Sequence, residues 1–437
     1  DAQESRGLGD VYKRQMYLGG LALETIIGID LVYAVTGLAL FAAAYSLYGG
    51  LTAVAWTDII QVIFLILGGL VTTFLALDTV SQGQGVLEGL KSIYNATPDR
   101  FEMILDKSNP EYNNLPGIGV LVGGLWVANL YYWGFNQYII QRTLAAKSLR
   151  ESQKGILFAA GLKLIIPFIV VIPGIAAYVI VNDPEILASL GENGMMNIPT
   201  EGKADKAYPW LMQFLPVGFK GVAFAALAAA IVSSLASMLN STSTIFTMDI
   251  YKQLIDKNAD DKKIVKVGRL SAAVALIIGA TMAPLLGGID QAFQFIQEYT
   301  GIVSTGIQAD FILGLFCKKT TNKAAIWGAL SSIPIAMILK VGSKGWVDGT
   351  ALETFFPTLP WMDQMGLTAL LTMAVIIIVS LRQNKSADDA KAINLPHGIF
   401  KTSPLFNIGA FATLIILTVT YSLPVSYTHL RAHETPE

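Results

Sequence analysis

Long apolar runs separated by short polar segments recur along almost the whole chain. With Gly and Pro taken as boundaries, these runs are long enough for helices to cross a hydrocarbon core of roughly 30 Å, although the first is short. They fall at 16–28, 30–48, 57–78, 117–135, 156–181, 213–247, 270–288, 291–317, 324–341, 364–381 and 405–424. The pattern predicts an all-α polytopic membrane protein with about eleven membrane helices.

Composition supports this class and argues against several others. The 437 residues are 53% hydrophobic and only 14% charged, with a mean hydropathy of +0.54. The chain has one cysteine, Cys317, and three histidines, which argues against a disulfide scaffold and against zinc or haem chemistry. Neither a phosphate-binding GxxxxGK[ST] motif nor a nucleophile with its base occurs. We therefore expect no enzyme, no cofactor and no nucleic-acid partner.

The two ends of the chain differ from the rest. Residues 1–15 and 425–437 are polar and stop abruptly against apolar sequence. They resemble translated cloning linkers, the alternative being natural disordered tails. This predicts one transmembrane domain over 16–424, and His429 and His433 are given no functional weight.

The charges between the apolar runs predict the orientation in the membrane. Lysines and arginines predominate in the segments 136–155, 248–269 and 318–323, whereas acidic residues predominate in 79–116. By the positive-inside rule the first three segments are cytoplasmic and the fourth is external, which places the C terminus outside. Because the first run then points outward, we expect further helices before Met16, so that the chain is a fragment.

The run Val217–Tyr251 carries a stripe of small and hydroxyl residues. Ala230, Ser233 and Ser234 belong to this stripe, which recurs at helical spacing. Such a stripe serves helix packing, because small side chains let backbones approach closely. Alternatively, its oxygens and the carbonyls of a broken helix coordinate Na⁺ near the membrane midplane.

A second polar stretch joins amide and aromatic side chains. Asn129, Tyr132, Trp133 and Asn136 are spaced at i, i+3, i+4 and i+7, which places them on one face of an α-helix. Amide groups beside flat rings suit a sugar, whose hydroxyls need hydrogen bonds and whose C–H face stacks on aromatics. The alternative is an aromatic belt at the membrane interface.

Other polar residues at membrane depth each have two interpretations. Lys163 either snorkels to the inner surface or donates to a substrate hydroxyl. Gln297 either lies at an outer helix end or binds a ligand that Phe293 covers. Asp58 either caps a helix that begins after Gly49 and Gly50 or attracts an exiting cation. For Asp310 we find no role beyond pairing or a position nearer the inner surface.

Five stretches together resemble the sodium/solute symporter family, and within it the bacterial sugar-transporting members. They are YLGGLALE, YGGLTAVAWTDIIQ, GGLWVANLYYWGFNQYIIQRTLAAKS, FAALAAAIVSSLASMLNSTSTIFTMDIYK and GGIDQAFQFIQEYTG. The resemblance covers nearly all of 16–424. It implies a LeuT-type core of two inverted five-helix repeats with peripheral helices.

The resemblance also implies roles for individual residues. The sodium-site residues are Ala230, Ser233 and Ser234, with Asp58 on the path of sodium exit. The sugar hydrogen-bonding residues are Asn129, Lys163 and Gln297. The aromatic inner gate is Tyr132 with Trp133, while Phe293 serves as the second gate residue.

The implied function is sodium-coupled symport of a galactose- or glucose-like sugar by alternating access across the bacterial cytoplasmic membrane. Its partners are the sugar, the sodium ion as coupling ion, and the lipid bilayer. The first core helices of the family have no counterpart here, and Asp310 replaces an expected apolar residue. We therefore expect half a site and no transport by this chain alone. The alternatives are a sodium symporter for proline, a vitamin or an anion, and a non-transporting sensor on the same fold.

Overall fold

The structure, a computed structural model, describes residues 16–101, 105–113, 117, 119, 123–191, 198–199, 204–284, 292–350, 353–356, 358–383, 393, 395, 398 and 400–432. The regular elements within these ranges are helical, which agrees with the predicted all-α class.

The chain divides into two compact units. Unit 1 contains Met103–Ala145 and Ile296–Ser403, and unit 2 contains the described residues up to Phe101, Ala146–Phe295 and those from Pro404 on. The α-helices of unit 1 are α4 (Gly124–Leu130), α5 (Gln137–Leu144), α12 (Ala292–Phe316, from Ile296 on), α13 (Asn322–Ser343) and α14 (Trp361–Arg382). Those of unit 2 are α1 (Met16–Ile27), α2 (Leu31–Val80), α3 (Val86–Ala96), α6 (Leu149–Lys163), α7 (Ile172–Asn182), α8 (Pro184–Ser189), α9 (Ala207–Leu211), α10 (Val217–Ile245), α11 (Asp261–Met282) and α15 (Pro404–Ala432).

Six helical segments of the described residues are long and apolar enough to cross a membrane. They are Ala55–Val80, Leu149–Asn182, Val217–Ile255, Asp261–Met282, Asn322–Ser343 and Trp361–Arg382. A further pair, Met16–Ile27 and Leu31–Tyr45, passes the same test together and is bent by 120°. Asp30 begins α2 after this bend, because its Oδ1 accepts a hydrogen bond of 2.9 Å from the backbone N–H of Val32. The protein is thus a multi-pass membrane protein.

One predicted helix boundary is wrong. The sequence predicts separate helices at 30–48 and 57–78, whereas α2 runs through both as a helix of 50 residues. Two glycines weaken a helix by only about 1 kcal/mol each, so Gly49 and Gly50 do not end it in an apolar segment. Asp58 therefore lies inside α2, and the interpretation of Asp58 as a helix cap is wrong.

Unit 2 is built around the packing of α10 along α2. A Cβ added to Gly68 of α2 would lie 3.0 Å from the Cβ of Ala223 on α10. About two turns further along α10, a Cβ on Gly19 of α1 would lie 2.7 Å from Ile231. Small residues thus let three helices approach closely, as they do in membrane proteins generally. This contact places the polar part of α10 against α2.

Unit 1 is built around the pair α13 and α14, which pack along each other. A Cβ on Gly124 of α4 would lie 1.9 Å from the carbonyl oxygen of Met362 at the start of α14, so the two backbones touch. On α12, a Cβ on Gly306 would lie 2.3 Å from Ser332 Oγ of α13. Close backbone contacts therefore hold α4 and α12 on the hairpin of α13 and α14.

Candidate functional site

The hydroxyl stripe of α10 contains two kinds of hydrogen bond. The Thr244 hydroxyl donates to the carbonyl oxygen of Asn240, 2.9 Å away on its own helix, and the Thr247 hydroxyl likewise donates to Ser243. Such bonds satisfy a hydroxyl without making a site. Ser233, by contrast, is buried and donates across to Asp58 Oδ1 on α2. The packing interpretation therefore fits Thr244 and Thr247, whereas Ser233 meets a carboxylate.

The Ser233–Asp58 contact joins a predicted sodium-site residue to the predicted exit residue. Both lie in unit 2, and Ala230 and Ser234 lie half-buried within one turn of Ser233 on α10. Hydroxyl and carboxylate oxygens are the donors that hard cations prefer. The contact itself was missed by sequence analysis, because nothing in the spacing relates α10 to α2.

Further along α10 the hydroxyls of Ser241 and Thr242 are buried and have no hydrogen-bond partner among the residues that the structure describes. A buried hydroxyl without a partner costs free energy. Since Ser241 and Thr242 follow Ser233 by eight and nine residues, buried polar groups continue along α10 for more than two turns beyond Ser233.

The amide and aromatic stretch differs from the predicted single helical face. The α-helix α4 ends at Leu130, and Tyr131–Phe135 form a π-helical turn before α5. Asn136 is buried and caps α5, its Oδ1 accepting from the N–H of Tyr138 at 3.1 Å. The prediction that Asn136 shares a face with the other three residues is wrong, because the wider turn changes the angular spacing.

Asn129, Tyr132 and Trp133 all lie in unit 1. Tyr132 and Trp133 are 38% and 48% exposed, and their rings meet edge to face at a centroid distance of 5.1 Å. Asn129 Nδ2 donates to the carbonyl oxygen of Leu125 at 2.9 Å, which leaves its Oδ1 outside that bond. Gln297, also in unit 1, has an exposed side chain on α12.

The other predicted sugar and gate residues are placed differently. Lys163 is in unit 2 and is the last residue of α6. Three residues separate it from the π-helical turn Pro167–Val171, and its side chain is exposed. Phe293 lies in α12, and its side chain is outside the described residues. The structure thus groups Asn129, Tyr132, Trp133 and Gln297 in unit 1, and Lys163 with the sodium-site residues in unit 2.

A buried charge cluster beside Gln297 was not predicted. Lys340 Nζ of α13 lies 2.9 Å from Glu298 Oε1 of α12, and Lys344 Nζ lies 3.2 Å from Glu298 Oε2. The Lys340 ammonium also lies 4.1 Å from the centroid of the Tyr299 ring. We call these residues the Glu298 triad: Glu298, Lys340 and Lys344. The signal available in the sequence was a lysine within an apolar run.

Asp310 has a buried carboxylate oxygen, Oδ1, that lacks a hydrogen-bond partner among the described residues. A Cβ on Gly328 of α13 would lie 2.8 Å from this oxygen. The expected pairing of Asp310 is therefore not found in the described part of the chain.

Comparisons with known proteins agree with the family that the sequence resembles. The family model described as Sodium:solute symporter family matches residues 11–331. The chain is 61% identical to the sodium/glucose cotransporter of Vibrio parahaemolyticus, over 93% of this chain and 73% of that protein. It is 34% identical to the human sodium/myo-inositol cotransporter 2, over 74% of this chain and 49% of the human protein, so it spans about half of that relative's length.

A solved structure shows the fold. The substrate-bound outward-open state of a Na⁺-coupled sialic acid symporter superposes with a TM-score of 0.67 and 23% sequence identity. The match covers 87% of this chain and 74% of the symporter chain. This confirms the expected LeuT-type fold.

Proposed function

Because the chain belongs to the sodium:solute symporter family, we propose that it forms the membrane-spanning core of a transporter that couples sodium entry to sugar uptake. The observation that carries the sugar part is the 61% identity with a protein named as a sodium/glucose cotransporter. The sodium part is supported by the contact between Ser233 and Asp58.

Sodium binds, in this proposal, at Ala230, Ser233 and Ser234 on α10. The Ser233 hydroxyl then has two competing partners, the ion and Asp58. When sodium is bound, the Ser233 oxygen coordinates it and the Asp58 carboxylate adds attraction from α2. When sodium leaves past Asp58, Ser233 returns to the hydrogen bond that the structure contains. Asp58 therefore both draws the ion out and satisfies the hydroxyl that the ion vacates.

The sugar binds through Asn129, Gln297 and Lys163, with Tyr132 and Trp133 stacking below it. The exposed edge-to-face pair of rings offers a flat apolar surface to a sugar C–H face. The π-helical turn that carries both rings is a local distortion that often marks functional sites. Movement of Tyr132 and Phe293 opens and closes the site as the protein alternates between outward and inward access.

The proposed setting is the bacterial cytoplasmic membrane, with the C terminus outside. The support is the excess of lysine and arginine in 136–155, 248–269 and 318–323. The protein is proposed to work without an organic cofactor and without enzymatic chemistry, since sodium as the coupling ion supplies the driving force.

The test is sodium-dependent uptake of radiolabelled galactose and glucose into proteoliposomes. Because the chain covers 73% of the Vibrio relative, the assay compares this chain with a chimera that also carries the relative's remaining segments. We expect uptake by the chimera that requires a sodium gradient, and none by this chain alone. Uptake of neither sugar by either form contradicts the proposed substrate.

A second candidate substrate is a cyclic polyol. The name of the human relative, a sodium/myo-inositol cotransporter, favours it. Competition of labelled sugar uptake by myo-inositol, proline and iodide separates these solutes. Stronger competition by myo-inositol than by unlabelled galactose would favour the polyol.

A further inference from the structure

Two of the three charged side chains of the Glu298 triad are enclosed by the protein. The Lys340 side chain is 2% exposed and that of Glu298 is 14% exposed. A charge buried at membrane depth is costly unless it is paired, and removing one partner leaves the other uncompensated. The pair of Glu298 and Lys340 therefore constrains α12 to one position on α13.

The triad does not itself have room for a sugar. The cavity beside it, lined by Glu298, Lys340, Gln364 and apolar side chains, has a volume of about 10 Å³. That is the space of a single water molecule. Any effect of the pair on a bound solute must therefore be transmitted through the helix that carries Glu298.

Helix α13 is itself anchored at the level of the triad. Gln364 of α14 donates from Nε2 to Ser343 Oγ at 2.9 Å and to the carbonyl oxygen of Leu359 at 2.6 Å. The Ser343 hydroxyl also donates to Leu359 at 2.7 Å. Lys340 thus extends from a helix end that is fixed by hydrogen bonds to the next helix.

Gln297 directly precedes Glu298 on α12. Successive residues of an α-helix point about 100° apart, so Gln297 points in a different direction around α12 from Glu298, and its side chain is exposed. A helix rotation of about 30° would move a side chain at this radius by roughly 3 Å. Such a movement is as large as a whole hydrogen-bond length.

We propose that the Glu298–Lys340 pair is a positioning element that fixes the rotation of α12 and thereby directs the amide of Gln297 to the sugar. The inference rests on the proposed function in taking Gln297 as a sugar ligand. Lys344 contributes less than Lys340 to holding Glu298 in place, because the Lys344 side chain is 33% exposed.

The first test measures the direction of Gln297 without any transport. Gln297→Cys in a Cys317→Ser background is labelled with a water-soluble maleimide, with and without Lys340→Met. We expect Lys340→Met to change the labelling rate at least threefold. Lys91→Met is the matched control, because Lys91 forms an exposed pair of 3.0 Å with Glu88, and it should leave the rate unchanged.

A second variant distinguishes loss of positioning from misfolding caused by an unpaired buried charge. Glu298→Gln/Lys340→Met removes both charges, so no unpaired charge is buried, and it should change the labelling rate in the same direction. The charge reversal Glu298→Lys/Lys340→Glu, made together with Lys344→Met so that no second ammonium lies beside position 298, should restore the original rate. An unchanged rate in both neutralised variants overturns the proposal.

The second test measures sugar uptake by the chimera described above. We expect Lys340→Met to raise the sugar KM at least fivefold while the half-saturating sodium concentration stays the same. Equal changes in both quantities, or only a smaller amount of folded protein, would indicate a purely structural role and overturn the proposal. If labelling shifts as expected while no form takes up sugar, the positioning role stands and the proposed sugar function fails.

Discussion

At the scale of single residues, the partner of each hydroxyl distinguishes a packing stripe from a site. Thr244 and Ser233 lie on the same helix. The Thr244 hydroxyl donates to the backbone carbonyl of Asn240 one turn earlier, whereas the Ser233 hydroxyl donates to a carboxylate on another helix. A hydrogen bond to a charged group contributes about 1.5–3 kcal/mol, roughly twice that of a neutral one. Ser233 is therefore the hydroxyl of α10 that connects the proposed sodium site to the proposed exit residue.

Ser233→Ala removes both the proposed sodium ligand and the donor to Asp58. We expect the half-saturating sodium concentration for sugar uptake to rise about tenfold, which corresponds to about 1.4 kcal/mol, because the lost oxygen is a proposed direct ligand of the ion whereas the bond to Asp58 forms only when the ion has left. Ser234→Ala should act in the same direction. The measurement is the sodium dependence of uptake at saturating sugar.

Thr244→Val is the matched control on α10. The Thr244 hydroxyl donates to a backbone carbonyl of the preceding turn. The half-saturating sodium concentration of this variant should therefore stay within twofold of that of the unsubstituted protein. Unchanged sodium activation in Ser233→Ala would disprove the assignment of this residue to the sodium site.

At the scale of helices, glycines decide which backbones touch. Gly124 lets α4 meet the first turn of α14, where an added Cβ would lie 1.9 Å from a backbone oxygen. That oxygen belongs to Met362 and cannot rotate away as a side chain would. The contact also sets the position of the π-helical turn with Tyr132 and Trp133, because that turn follows α4 directly.

Gly124→Ala should therefore destabilise unit 1. Overpacking by one methyl group costs about 1–3 kcal/mol even where side chains can adjust, so we expect a loss at or above the upper end of that range. The measurement is the thermal transition of the detergent-solubilised protein. Gly314→Ala on α12 is the control, because no atom lies within 4 Å of its added Cβ and alanine favours a helix. Equal transition temperatures for the two variants would contradict this account.

The helices that sequence predicts best are those with uninterrupted apolar runs, such as α10. Two features escaped prediction for physical reasons. The π-helical turn at Tyr131–Phe135 follows no residue pattern that a period of 3.6 can reveal. The ion pair of Glu298 and Lys340 joins two helices through tertiary packing, which spacing within one helix does not report. The resemblance to a family identified candidate residues, but the contacts between them depend on how the helices pack.

At the scale of the whole molecule, orientation depends on charges at the ends of the apolar segments and between them. The segment 248–269 carries six basic side chains, which are Lys252, Lys257, Lys262, Lys263, Lys266 and Arg269. Moving such a segment across a membrane is disfavoured, which holds it on the cytoplasmic side. The segment 79–116 carries more acidic than basic residues and has no such restriction.

The orientation is tested with two exposed lysines, one in each segment. Lys107→Cys and Lys257→Cys are made separately in a Cys317→Ser background, and intact bacterial cells are treated with a membrane-impermeant maleimide. We expect Lys107→Cys to be labelled in intact cells and Lys257→Cys only after permeabilisation, because the basic segment stays inside. A cysteine appended to the C terminus should behave like Lys107→Cys. The reverse pattern would place Asp58 and the proposed sodium exit toward the outside, and sodium would then leave against the direction that sugar uptake requires.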